Sequence, residues 1–380
     1  MSRFRESVVS LLPGPVHFAL RPWWRRYFRF KLRLRDWWMP FIVWIVWLVF
    51  QCARRGRRAV IICRFGGIGD VLCTLPICEE ARRRHPGKLL VFVTAAIWRD
   101  VVRMSRSADL VYANSSWIHP LTMPTGIKVF GLVERIYNPQ TTRERLSHTF
   151  GTSAHLIDDL AASCGFAVAT RLPALSPSSG LIAKVRARYG LDDKGTGHQL
   201  VMGINPGPSW PVLEWEDFKW QKLINRIHSQ HDAVIIQFGI IRGDGSSDYK
   251  NLKGVKSVAG RLTGEELVVL IAICDLVISI DSGPVHVAGA VGTPVIGLFG
   301  PVDPASRLPP ESPAPALGLF SDVPCLFCHN RSPVIHWITG CPNDIACMKK
   351  LDEETVFDAI ESILVQSKRQ EAKESLTVLD

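Results

Sequence analysis

At 380 residues the chain is long enough for two domains with separate cores, and 47% apolar residues exclude a disordered protein. The net charge of +10 is unevenly placed: residues 1–58 hold thirteen Arg or Lys against Glu6 and Asp36, a net +11, which leaves −1 for residues 59–380. The pI of about 9.2 therefore belongs to the N-terminal segment, and the body is excluded as a basic nucleic-acid binder.

Residues 1–58 read as a membrane-associating segment. Half of the twelve tryptophans lie there, at 23, 24, 37, 38, 44 and 47. Trp37–Ala53 is uncharged, with Arg33 and Arg35 before it and Arg54, Arg55, Arg57 and Arg58 after it. As a helix, these 17 residues reach about 26 Å, short of a hydrocarbon core of roughly 30 Å. A span would also leave nine basic residues of the 1–36 stretch on the far side, against the positive-inside bias. An interfacial helix, with Trp at headgroup depth and Arg on anionic lipid, fits better, with a single span as the alternative. No small-residue cleavage site marks a signal peptide.

The body alternates strands and helices in two blocks. Strand Ala59–Cys63 is followed by helix Ile68–His85, strand Leu89–Val93, a strand near Asp109–Tyr112 and helix Thr152–Cys164. Residues 114–150, with mixed Pro, Thr and Arg content, read as loops with short helices. The Pro- and Ser-rich stretch from Leu172 places the linker at 176–198, between an N-terminal domain at 59–175 and a C-terminal domain at 199–366. The second block has strand Leu200–Ile204, helix Trp215–Gln230, strand Ala233–Phe238, helix Gly264–Cys274, strand Leu276–Ile280, a short helix and strand Thr293–Phe299. A helix over Asp352–Gln366 precedes a charged tail at 367–380. The alternation predicts an α/β protein with two Rossmann-like parallel-sheet domains facing across a cleft.

Two strand ends carry chemistry. Gly66, Gly67 and Gly69 form a side-chain-free loop after the first strand, with Asp70 at a helix start. Position 72 is Leu, and no Gly-Lys-Ser/Thr follows, so neither a dinucleotide fingerprint nor a phosphate loop fits. By itself Asp70 is also what the helix dipole favours in a first turn. Asp281-Ser282-Gly283-Pro284 follows the strand Leu276–Ile280, with Ser282 or Asp281 as the expected cap and Pro284 in the first turn. Such a helix start offers N–H groups and a positive dipole end to a phosphate, although Ser-Gly-Pro is also ordinary turn chemistry.

FGGIGDVLCTLP (65–76), INPGPSWP (204–211) and ISIDSGPVHVAGAVGTPVIGLFGPVDP (278–304) together resemble glycosyltransferase family 9, which includes the lipopolysaccharide heptosyltransferases. The resemblance covers about residues 59–365. It implies a GT-B fold and inverting transfer from a nucleotide-activated sugar, by family default heptose from ADP-heptose, with no required cofactor. It implies a lipid-linked acceptor such as lipopolysaccharide core, at the cytoplasmic face of the inner membrane. By that likeness Asp70 matches the general base; Asp281, Ser282, Gly283 and His286 match the donor-binding element, joined by Asn205, Gly207 and Ser209. A base takes the acceptor hydroxyl's proton during attack, and helix-start N–H groups at Ser282–Val285 face the leaving diphosphate. His286 reads equally as a phosphate donor or a satisfied structural histidine.

One departure stands out. Family members often carry a Lys shortly after the Ser-Trp-Pro equivalent, where this chain has Val212-Leu213-Glu214. Arg64 and Arg242 are the replacement cations considered. The departure keeps a catalytically silent nucleotide-sugar-binding membrane scaffold as an alternative, beside a sugar-nucleotide epimerase of the same architecture. Ten cysteines without a secretory signal indicate a reducing compartment. Cys325, Cys328, Cys341 and Cys347 form a loop-borne set whose first spacing suits zinc. Its later gaps are irregular, which favours a metal-free loop over a structural zinc.

Overall fold

The computed structural model describes residues 44, 46–114, 131–141, 154–191, 199–207, 209–239, 249–331 and 340–377. Two all-parallel sheets organise them. The first has the order β3-β2-β1-β4 and consists of β1 (Ala59–Cys63), β2 (Leu89–Ala95), β3 (Leu110–Asn114) and β4 (Val133–Tyr137). The second, in the order β10-β9-β8-β5-β6-β7, has β5 (Leu200–Asn205), β6 (Ala233–Gln237) and β7 (Lys256–Ser257) on one side. Its other side is β8 (Leu276–Ile280), β9 (Val295–Leu298) and β10 (Ala316–Leu319). The central strands AVIIC and LVISI are buried at every position, as expected of strands covered on both faces. The two-sheet α/β class read from the sequence is borne out.

The helices differ from expectation in informative places. α1 runs over 46–55, with Trp44 also helical. Trp44, Leu48 and Cys52, spaced at one face of a helix, are buried against Ile61, Val91 and Val133 of the first sheet. Trp44 and Trp47 meet Tyr112 at 6.1 and 5.0 Å between ring centroids. The described part of the apolar segment thus covers a sheet face, and its opposite side exposes Val46, Val49 and Phe50. A helix sealed along one face by a sheet is not ringed by lipid, and among the described residues no helix is long and apolar enough to cross a membrane. Residues 1–43, with most of the expected membrane segment, lie outside the described residues.

The expected helix Ile68–His85 is broken into α2 (Ile68–Leu72) and α3 (Leu75–Arg84). Pro76 sits in the first turn of α3, where its missing N–H ends the bonding of the preceding turn. α4 (Arg99–Ser105) follows β2, and α5 (Leu156–Ser163) follows β4. β4 itself lies in the stretch read as loops: VERIY buries only its two ends fully, so no apolar run advertises it. α6 (Ser179–Tyr189) occupies the expected linker, capped by Ser178 and stopped by Gly190 in the left-handed conformation. α7 (Asp217–Gln230), α8 (Gly264–Ala272) and α9 (Gly283–Val291) lie close to their expected places. The last helix, α10 (Glu353–Thr377), runs through the expected tail.

Candidate active site

α2 of the first domain packs directly on α9 of the second. Each helix follows the carboxyl end of a central parallel strand, where open sheets bind ligands. A cleft of about 620 Å³ opens there, lined from one side by Gly67, Gly69, Asp70 and Trp98. From the other side come Asn205, Gly207, Ser209, Asp281, Ser282, Gly283 and His286. The structure thus gathers the sequence-predicted residues around one space, with Gly66 just behind Asp70.

Gly66 adopts φ +128°, and a Cβ there would stand 2.9 Å from Asp70 Oδ2. Gly66 O accepts the indole N–H of Trp98 at 2.8 Å, which fixes the loop to the second strand's end. Asp70 Oδ1 lies 3.0 Å from Arg64 Nη2. Arg64 is buried, and its Nη1 also donates to Pro139 O at 2.9 Å. One of the two replacement cations considered is therefore committed to Asp70, and the other, Arg242, lies outside the described residues. Asp70 remains about a third exposed, open to the cleft while held in one orientation.

The second loop differs from the expected cap. Ser282 occupies the N-cap position of α9, but its hydroxyl donates to Ile280 O at 3.2 Å and accepts from Asn205 Nδ2 at 2.7 Å. Asn205 also donates to Ser279 Oγ at 3.1 Å. Neither side chain caps the helix. Pro284 has no N–H and Val285 N–H returns to Ser282 O, so the expected Ser282–Val285 donors reduce to the amides of Ser282 and Gly283. Asp281 is buried, and burial raises its carboxyl above the usual range while Arg307 pulls it back.

His286 crosses the domain boundary. Its Nδ1 lies 3.5 Å from Cys73 Sγ in the first domain. Burial, helped by the charges of Arg307 and His155, lowers His286 to about 3, while burial holds the Cys73 thiol at about 12. A neutral thiol donating to Nδ1 leaves the ring N–H on Nε2, the form that donates to a phosphate oxygen.

This neutral histidine sets an acid limit. Its folded value lies below the unfolded value of about 6.5, so its contribution to stability is present above that pH and lost as pH falls toward 3. His155, also lowered by burial, acts in the same direction, whereas the raised Asp281 acts oppositely. His286→Gln is expected to flatten the fall in unfolding free energy between pH 6.5 and 4.5, by on the order of 1 kcal/mol per pH unit. Parallel curves for the two proteins would count against this assignment.

The place of the absent lysine has its own explanation. Val212 and Leu213, in the turn Pro211–Leu213, are buried with Val302 in a small apolar cluster. Glu214 turns inward instead: Oε1 accepts the Ser209 N–H at 2.9 Å, and Oε2 lies 3.4 Å from Lys250 Nζ. Lys250 also pairs with Asp217. Glu214 therefore holds the Ser209 amide while pairing with Lys250. Sequence reading missed Lys250, Trp98 and Arg307, which reach the site only through tertiary packing.

Residues 161–335 match the family model described as glycosyltransferase family 9 (heptosyltransferase). The matched stretch is a little under half of the chain. The match spans the two second-domain loops and leaves Asp70 outside it. Among curated relatives, lipopolysaccharide heptosyltransferase 3 of Escherichia coli is 33% identical over 123 residues, 31% of this chain and 36% of that protein. The chain thus spans about a third of that relative's length. The solved glycosyl transferase family 9 structure from Veillonella parvula has a TM-score of 0.59 at 17% identity, covering 81% of this chain and 97% of that one. The iron-containing dodecameric glycosyltransferase TibC of enterotoxigenic E. coli has a TM-score of 0.57 at 14% identity, covering 82% and 77%. These likenesses show a shared fold. Among the described residues, no group of three or more His, Cys, Asp or Glu is placed to hold a metal, and none of the ten cysteines forms a disulfide.

Proposed function

We propose that the protein is an inverting glycosyltransferase that moves a sugar from a nucleotide-activated donor, by family default heptose from ADP-heptose, onto a lipid-linked acceptor such as lipopolysaccharide core. One observation carries this reading: Asp70 of the first domain and the Asp281–His286 turn of the second line the same cleft. In the reaction Asp70 takes the acceptor hydroxyl's proton as its oxygen attacks the anomeric carbon. The bond from that carbon to the diphosphate oxygen breaks, and the electron pair leaves with the nucleoside diphosphate. The Ser282 and Gly283 amides and the His286 Nε2–H receive the developing charge. No step calls on a metal or cofactor.

Two surface features support a partner at an anionic membrane. Arg54, Arg55, Arg99, Arg103 and Arg106 surround a recess of about 620 Å³ beside Trp47. The same helix exposes Val46, Val49 and Phe50. Basic side chains next to an apolar strip suit phosphorylated headgroups at an interface, so we place the enzyme peripherally on the cytoplasmic face of the inner membrane. The testing experiment mixes full-length protein with ADP-heptose and a lipopolysaccharide-core acceptor, and follows released ADP. Acceptor-dependent release is expected. Donor binding without release, across a panel of sugar nucleotides and core acceptors, would instead favour the catalytically silent scaffold.

A further inference from the structure

A donor diphosphate brings at least two negative charges into a partly desolvated cleft, where unpaired charge is costly and a bidentate guanidinium is the strongest neutral-pH partner. Among the described residues lining the cleft, Arg307 is the one Lys or Arg. The neighbouring cations are engaged elsewhere: Arg64 with Asp70 and Pro139 O, Lys250 with Glu214 and Asp217. The Arg307 guanidinium is half-buried and makes no hydrogen bond or ion pair among the described residues. Its charge reaches Cys73, His155, Asp281 and His286, so it sits where the two domains' loops converge.

The backbone around it is held on both sides. Asp303 caps the turn Pro304–Ser306 by accepting Ala305 N–H at 2.9 Å, and its carbonyl accepts Ser306 Oγ at 2.7 Å. Arg307 N–H returns to Pro304 O at 3.0 Å. Leu308 O accepts His155 Nε2 at 3.0 Å, a bond between residues 153 apart in the chain. An unpaired guanidinium on a braced turn, facing a cleft with two carboxylates, is a poor arrangement for the empty protein and a suitable one for a bound anion.

We propose that Arg307 is the donor-diphosphate-binding cation of this protein, in place of the lysine absent after Trp210. The proposal rests on the nucleotide-sugar reading of the cleft. It differs from a general structural role because it assigns Arg307 to the phosphates and leaves the nucleoside to other residues.

The test measures binding of ADP, with UDP and GDP in parallel, and of the corresponding nucleosides, by calorimetry. It compares full-length wild type with Arg307→Gln and Arg307→Lys. Removing a charge-assisted hydrogen bond is expected to weaken the preferred diphosphate about 10- to 100-fold in Arg307→Gln. Nucleoside binding should stay within twofold, and Arg307→Lys should recover part of the loss. Equal diphosphate affinity in wild type and Arg307→Gln would overturn the assignment while leaving the nucleotide-sugar reading intact. A parallel loss for diphosphate and nucleoside would also overturn it, by showing that the site as a whole had shifted. If wild type binds none of the three diphosphates, the underlying reading falls and the assignment with it.

Discussion

Asp70→Asn should lower the rate of sugar transfer by roughly 10²- to 10⁴-fold while leaving donor affinity near that of wild type. The amide keeps the shape of the side chain but cannot accept a full proton from an attacking hydroxyl. The carboxylate's contribution then depends on precise placement against the attacking hydroxyl. The structure supplies that placement through Arg64 at 3.0 Å and the glycine loop behind the carboxylate. Two structural costs accompany the substitution: a first-turn acid worth about 0.3–1 kcal/mol, and a weakened partner for buried Arg64. Both appear in the melting temperature, not in a thousandfold rate change. Single-turnover rates and donor titration on the same samples separate the effects. Turnover close to wild type in a folded Asp70→Asn protein would remove this residue as the base.

The second large effect concerns the helix over 46–55. The charge partition alone suggests that a chain starting near Arg57 keeps its fold, since the remaining body has a net charge of −1. The packing points the other way. Deleting the helix removes Trp44, Leu48 and Cys52 and uncovers Ile61, Val91, Val93 and Val133 of the first sheet. Removing a buried Leu or Trp costs about 2–5 kcal/mol each, which approaches the whole stability of a typical domain. A chain beginning at 57 is therefore expected to aggregate or to melt well below one beginning at 44. The longer form should stay soluble and lose vesicle binding only in proportion to the residues removed before it. Equal melting temperatures for the two forms would show that the helix is dispensable to the domain.

Much of this was legible in the sequence because parallel strands advertise themselves. Ala59–Cys63 and Leu276–Ile280 are short, largely apolar runs each followed by a glycine-containing loop, and both strands have those bounds. Asp70, Asn205 and the Asp281–His286 turn were legible through the family resemblance of the three motifs that hold them, since each alone is also ordinary helix-start or turn chemistry. β4 was not, since VERIY mixes charged and apolar residues and buries only its two ends fully. The helix Ser179–Tyr189 was hidden by its Pro- and Ser-rich approach, although Ser178 and Gly190 are the cap residues that could have located it. Arg307 was out of reach, because nothing local marks a residue whose charge acts on groups from 21 to more than 200 positions away.

The glycines at 69 and 283 differ from those in the turns. Neither has a positive φ, so each backbone would accept alanine on its own account. A methyl at 69 would stand 2.6 Å from His286 Cδ2, and one at 283 would stand 2.2 Å from Ile68 Cγ2. The constraint on each residue thus comes from the opposite domain. Each half read alone would tolerate the change, and only the assembled pair forbids it. Sequence drift at either position is consequently tied to drift at the other domain's surface, and recombining halves from two relatives would fail first at this seam.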